Sequence, residues 1–435
     1  MLVGVVLRLT MLWSFPPEAG YDYPAHWTYI TWLERERGLP TLTTTIAATH
    51  PPVFYAVAAA LVHWGGGPPA VQAISVVAGI ARLAFVWIGL EVVMPGARVA
   101  RRVALALAAT LPVAVHLDGT VNGESLCATF VALALIFVPA ALGDGRRAIV
   151  AAATVGLVLG VAVLTKVTAV TVGVAIVFGA AARFVVEARR GRTDPMRLLA
   201  PVVVGVAVFV ATTGWWVAWN QGFHGKPLPT YADQPGLRYM PATLVVPVWL
   251  RRTPDFYFGW TNEIYAMPYY PSASLERSRF VPQLIASTFV DYYNYAFAPA
   301  RPGAPTVVVN NRPLPATAVT LGRASMVAGT VIVVVTVLAS VAALARTWSA
   351  QAWAPFACLL VPLGALAVQV YYAQVFPHDM LGIVKGAYLL YAAPPMFAAF
   401  GLGVAWLARR ARALAALPLA ALGVVAAYTI WCRTA

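Results

Sequence analysis

The chain is written as a succession of apolar runs, each close to 20 residues long and separated by short turns, and no other feature limits its fold as strongly. A helix of that length rises about 30 Å, the thickness of the hydrocarbon core of a bilayer. Runs near 1–14, 70–94, 100–117, 123–142, 148–165, 167–186, 198–219, 322–345, 352–372, 385–408 and 412–431 give eleven candidate spans. Inside lipid every backbone polar group must be satisfied within the protein, and runs of this length do so as helices. The expected fold is an all-α polytopic membrane protein with about 11 transmembrane helices. Composition agrees, since 60% of the 435 residues are hydrophobic and 11% charged, against roughly 25% charged in soluble domains.

A further apolar stretch, 51–64, rises only about 21 Å as a helix and is too short to cross. With 51–64 left out of the spans, the arginine clusters fall on one side: Arg98, Arg101 and Arg102; Arg146 and Arg147; Arg183, Arg189, Arg190, Arg192 and Arg197; Arg346; Arg409, Arg410 and Arg412. Short arginine-rich loops stay cytoplasmic, so this side is the inner one. The other side receives 15–69, a first outer loop with a pair of juxtamembrane helices. It also receives the turn 118–122, Lys166, the aromatic-rich outer loop 220–321, and 373–384. The whole of 1–435 reads as one transmembrane domain. A net charge of +14 confined to such loops does not indicate nucleic acid. Three cysteines, Cys127, Cys358 and Cys432, carry neither a disulfide framework nor zinc spacing.

Chemistry-bearing residues collect on the outer side. In Asp22-Tyr23-Pro24-Ala25-His26, Pro24 suits the first turn of a helix, which puts Asp22 just before its start and His26 and Tyr29 on one face. Asp22 reads equally well as a base or as an N-terminal acid interacting with the helix dipole. His50 stands immediately before Pro51-Pro52, which open the interfacial helix. The turn Asp118-Gly119-Thr120-Val121-Asn122-Gly123-Glu124 holds two carboxylates and an amide. The only lysines are Lys166, Lys226 and Lys385, all on the outer side, against the positive-inside trend. They suit either headgroup snorkelling or a lipid-linked phosphate.

In order and spacing these pieces resemble the GT-C superfamily of membrane glycosyltransferases, in particular the branch of protein mannosyltransferases and lipid A aminoarabinose transferases. Asp22 matches the essential outer-loop acid of that branch, and His50-Pro51-Pro52-Val53-Phe54-Tyr55 its basic residue before Pro-Pro. Asp118 with Asn122 and Glu124 matches its second acidic motif, Leu164-Thr165-Lys166 its span junction, Trp219-Asn220 with Gly225 and Pro227-Leu228 the opening of its long outer loop, and Lys385-Gly386-Ala387-Tyr388-Leu389 its last outer motif. The chain departs in having Asp22-Tyr23 in place of an acidic pair, and His50 where many relatives have lysine.

The resemblance implies a glycosyltransferase that moves a sugar from a polyprenyl-phosphate carrier to an acceptor hydroxyl with inversion, Asp22 being the general base. Lys166 and Lys385 then hold the phosphate, with His26, His50, Arg251 and Arg252 assisting. Asp118, Asn122 and Glu124 bind the sugar, or Asp22, Asp118 and Glu124 hold a divalent cation (Mg or Mn). No cofactor is the favoured reading, because the lysines already supply positive charge. The partners implied are the lipid-linked donor, a glycan, lipid or protein acceptor, and membrane lipids. Abundant Ala, Val, Arg and Pro suggest a GC-rich bacterial genome, hence an inner-membrane protein with its site facing the periplasm or exterior. The rival class is a transporter or flippase, which places ionisable groups near the bilayer midplane. Arg82 and Glu91 are the residues that would serve it.

Overall fold

The computed structural model describes residues 1–20, 22–190, 195–230, 233, 250–269, 279–291, 306–309, 312–375 and 384–434. Apolar runs wind into helices wherever no proline interrupts them. In order these are α1 Leu2–Ser14, α2 Tyr23–Glu36, α3 Val53–His63, α4 Pro68–Val93, α5 Arg98–Thr110, α6 Pro112–Asp118, α7 Glu124–Ala141, α8 Gly145–Val163, α9 Val170–Arg189 and α10 Pro195–His224. The short α11 Pro254–Phe258, α12 Asn262–Ala266 and α13 Phe280–Phe289 follow. The chain ends in the long α14 Ala316–Ser349, α15 Trp353–Val375, α16 Ala393–Arg410 and α17 Arg412–Thr434. A two-stranded ribbon, β1 Thr306–Val309 against β2 Arg312–Pro315, is an addition to the expected all-α reading. It lies within 220–321, of which 234–249, 270–278 and 292–305 lie outside the described residues, including the aromatic run 292–295.

Among the described residues, nine helices are long and apolar enough to cross a membrane, and ten if α5 and α6 count as one span. The expected count of eleven is therefore corrected in two places. Pro112 has no N–H to continue the ladder of α5, and the chain bends by 52° between α5 and α6 where a straight span was expected. Helix α1 has 13 residues and falls short of a span. It nevertheless packs against α4, α5, α6 and α17, with Arg8 wholly buried. Helix α3 has 11 residues and lies against α2, forming the juxtamembrane pair. Large apolar side chains stand exposed along the long helices, among them Val77, Phe178, Val206 and Leu338. These are surfaces for lipid.

The bundle has two distinct ends. Arg183 donates to the carbonyl of Gly143 at 2.8 Å and pairs with Asp144 at 2.7 Å, Arg101 pairs with Glu91, and Arg190 donates to Gln351 at 2.6 Å. These contacts gather the arginine-bearing turns at the C-terminal end of α7. At the opposite end, the N–H of Val53 donates to the carbonyl of Leu164 at 2.9 Å. That bond seats the start of α3 on the turn after α8, and the candidate residues meet there.

Candidate active site

Asp22 occupies the N-cap of α2, with Pro24 in the first turn, yet its side chain makes no cap hydrogen bond and its backbone is left-handed, with φ 58°. Such a conformation disfavours a residue bearing Cβ by about 1–2 kcal/mol. Strain of this kind tends to collect at functional sites. The carboxylate is exposed and lies within electrostatic reach of His26, Tyr55 and Lys166. The side chain thus serves no capping bond, while its place at the N-terminus of α2 keeps it in the field of the helix dipole.

One turn into α2, His26 is buried and its Nδ1 lies 2.7 Å from the Tyr55 hydroxyl. His50 reaches the same hydroxyl through its own Nδ1 at 2.8 Å. Tyr55 is held by a stack on Tyr29 with centroids 3.9 Å apart. Burial lowers the pKa of His26 to about 4, with Asp22 opposing and Lys166 assisting. Burial, then Lys166 and His26, put His50 well below its ordinary value. Both rings are therefore neutral near pH 7, and a hydroxyl can donate to one ring while it accepts an N–H from the other. Tyr55 was quoted in the sequence only as part of the Pro-Pro motif. Its position five residues after His50 was the available signal for its bridging role.

Lys166 precedes a single turn of 3₁₀ helix, Val167–Ala169. Its ammonium pairs with the Glu124 carboxylate and lies 5.0 Å from the centroid of the Tyr388 ring. The ammonium of Lys385 approaches the same ring at 5.7 Å. Burial, then Lys385, lower the pKa of Lys166, while Asp22 opposes them. Two cations at one aromatic ring are each attracted to it and repel each other. Lys385 is placed by the following residue: the Gly386 N–H donates to the Ser287 hydroxyl at 2.9 Å. A Cβ on Gly386 would stand 2.2 Å from the Thr288 hydroxyl.

The remaining candidates lie elsewhere or have other partners. Asp118 is fully buried, and its Oδ2 accepts from Arg8 and from Arg82, each at 2.7 Å. It packs so close to α4 that a Cβ on Gly79 would lie 2.3 Å from its Cγ. An outer-turn acid facing a cleft was expected; two guanidiniums from α1 and α4 claim it instead, because a buried carboxylate needs charge partners. Asn122 is buried and shapes the turn: its amide donates to the Thr120 hydroxyl and its Oδ1 accepts the Glu124 N–H at 2.8 Å. Arg251 is buried against the end of α15 and donates to the carbonyl of Ala373 at 2.9 Å, while Arg252 is exposed. Lys226 pairs with Asp233 on the surface. Among the described residues no group of three His, Cys, Asp or Glu side chains is arranged to hold a metal ion. The set Asp22, Asp118 and Glu124 does not fit one, since Asp118 is committed to two arginines and Glu124 to Lys166.

Fold and site together define a many-span helical membrane protein with an acid, two histidines and two lysines at one end of the bundle. Residues 49–216 match the family model described as dolichyl-phosphate-mannose-protein mannosyltransferase, the stretch that carries His50, Tyr55, Asp118, Asn122, Glu124 and Lys166. No curated protein matches by sequence. Among solved structures, the chain is similar to the apo oligosaccharyltransferase of Archaeoglobus fulgidus, with 12% identity, a TM-score of 0.48, and 98% of this chain and 55% of that chain covered. It is also similar to ArnT from Cupriavidus metallidurans bound to undecaprenyl phosphate, with 13% identity, a TM-score of 0.39, and 99% of this chain and 77% of that chain covered. The chain thus spans about half the length of the archaeal enzyme.

Proposed function

We propose that this chain is a glycosyltransferase that moves a sugar from a polyprenyl-phosphate carrier to an acceptor hydroxyl, with Asp22 as general base and Lys166 and Lys385 at the phosphate. The observation that carries this reading is the gathering of an uncapped, exposed carboxylate and two lysines around one end of the bundle. The family description supports it by naming a sugar carried on a polyprenyl-type lipid phosphate.

In this reaction the acceptor oxygen bonds to the anomeric carbon as the bond from that carbon to the phosphate oxygen breaks. The bonding pair leaves on the phosphate and the acceptor proton passes to Asp22, so a single displacement inverts the anomeric centre. The leaving group is a stable phosphate anion and needs positive charge more than a proton, which the two ammoniums supply. Neutral His26 and His50, joined through Tyr55, hold the side of the site between Asp22 and Lys166 in one hydrogen-bonded arrangement. The acceptor is a glycan, lipid or protein hydroxyl. The site faces the periplasm or cell exterior of an inner-membrane protein, as the arginine-bearing opposite end favours. A transporter reading has less support: Arg8 and Arg82 are tied to Asp118, and Glu91 pairs with Arg101 at the arginine-bearing end.

The test is turnover. Purified protein incubated with a polyprenyl-phosphate sugar and a hydroxyl acceptor should release polyprenyl phosphate, and slow release to water alone should persist without acceptor. If no polyprenyl-phosphate sugar is ever consumed, the glycosyltransferase reading fails.

A further inference from the structure

Glu124 was counted among residues that bind sugar, but its neighbours suggest another role. It opens α7 at the helix N-terminus, where a negative charge is favoured. Its backbone N–H is held by Asn122 at 2.8 Å, and its carboxylate contacts Lys166. The side chains of Lys166 and Glu124 are 14% and 7% exposed, so water screens this pair weakly. Lys166 and Lys385 meet over the Tyr388 ring. Glu124 is therefore built into the lysine pair as a permanent negative charge.

We propose that Glu124 is a positioning residue that matches the lysine site to a singly charged phosphodiester and weakens its hold on a doubly charged phosphomonoester. The inference rests on the phosphate-site reading above. With the donor bound, the two lysines lie beside the Glu124 carboxylate and a phosphodiester that carries one negative charge. When the glycosidic bond breaks, its electron pair stays on the phosphate while the acceptor proton goes to Asp22. A phosphate monoester carries close to two negative charges above its second pKa of about 6. The phosphate then carries a second negative charge beside the Glu124 carboxylate, which repels it more strongly than it repels the diester. Glu124 thus favours donor over product at the same two lysines and assists release of the lipid phosphate.

The experiment measures binding of polyprenyl phosphate, and of a polyprenyl methyl phosphate diester that cannot donate sugar, to the full chain in nanodiscs at pH 7, above the second pKa of the phosphate and no higher than the lowered pKa of about 7 of Lys166. Glu124→Gln should bind the monoester about five- to tenfold more tightly, as expected when a poorly screened repulsion is removed, while the diester changes less than twofold. In turnover the variant should show stronger inhibition by added polyprenyl phosphate. A merely structural glutamate would give weaker binding of both lipids on substitution. Equal or weaker monoester binding by Glu124→Gln overturns the proposal while leaving the phosphate site standing, provided Lys166→Ala and Lys385→Ala each lose both lipids. If neither lysine variant loses binding, the phosphate site itself fails and the proposal falls with it. Glu124→Asp, which keeps the charge, should retain a preference for the diester; a variant as indifferent as Glu124→Gln would also count against the charge argument.

Discussion

Three residues carry most of the new information, and two of them were legible in the sequence for a different reason from the one the structure supplies. Asp118 drew notice as an acid in a short turn, and its actual partners, Arg8 and Arg82, lie 110 and 36 residues away. A residue pattern gives a charge's depth but not its partner across the bundle, because pairing depends on helix rotation and crossing. Asp118→Asn leaves two buried guanidiniums facing a neutral amide and should destabilise the protein by about 3–5 kcal/mol. Thermal unfolding in detergent measures this, and an unchanged midpoint would show that the ion pairs contribute nothing. His26 makes a separate prediction. Its folded pKa of about 4 lies below the ordinary histidine value of 6.5, so between those pH values the unfolded chain binds the proton and the native state does not. Its contribution to stability is therefore fully present above pH 6.5 and is lost as pH falls toward 4, at up to about 1.4 kcal/mol per pH unit. His50 acts in the same direction. Unfolding at pH 4.5 and 7.5 should show the loss, with a shallower dependence in His26→Gln; equal pH dependence in the two proteins would contradict the burial argument.

At the scale of elements, the long helices followed from their apolar runs, and prolines marked several starts: Pro24 in α2, Pro68 in α4, Pro112 in α6. The same Pro112 broke a run that was expected to be one span, since hydropathy averages over a bend that a missing N–H enforces. The ribbon β1–β2 was not legible, being a short pairing inside a loop chosen for its aromatic content. Glycine packing was hidden as well, because close approach depends on the neighbouring element. Gly386 shows the consequence. It sits against α13, tied to Ser287 and nearly touching Thr288, and so sets where Lys385 begins the last outer turn. Gly386→Ala must move that turn or α13, and a displacement near 1 Å can lower activity by on the order of a hundredfold. The expected outcome is a loss of polyprenyl phosphate binding of about tenfold or more, read by titration in nanodiscs. Unchanged affinity would separate Lys385 from this packing.

For the molecule as a whole, the arginine pattern and the exclusion of 51–64 from the spans lead to an expected end-to-end division; in the structure the Lys166–Glu124 and Arg183–Asp144 pairs lie at the two ends of α7. The sequence placed Asp22, His26, His50, Lys166 and Lys385 on one side but gave no distances. The fold adds the Tyr55 bridge and the shared Tyr388 ring, and it sets Asp118 apart as a buried ion-pair centre. The proposed mechanism therefore divides labour between an exposed acid near the acceptor and half-buried cations near the lipid phosphate. That division is tested most directly by measuring, in one preparation of Asp22→Asn beside wild type, both polyprenyl phosphate binding and sugar transfer from a polyprenyl-phosphate sugar. The predicted result is binding within about twofold of wild type, since the lysines are intact, and transfer lowered by roughly 10²–10⁴, the range for loss of a general base. Wild-type transfer by Asp22→Asn would contradict the account at its centre.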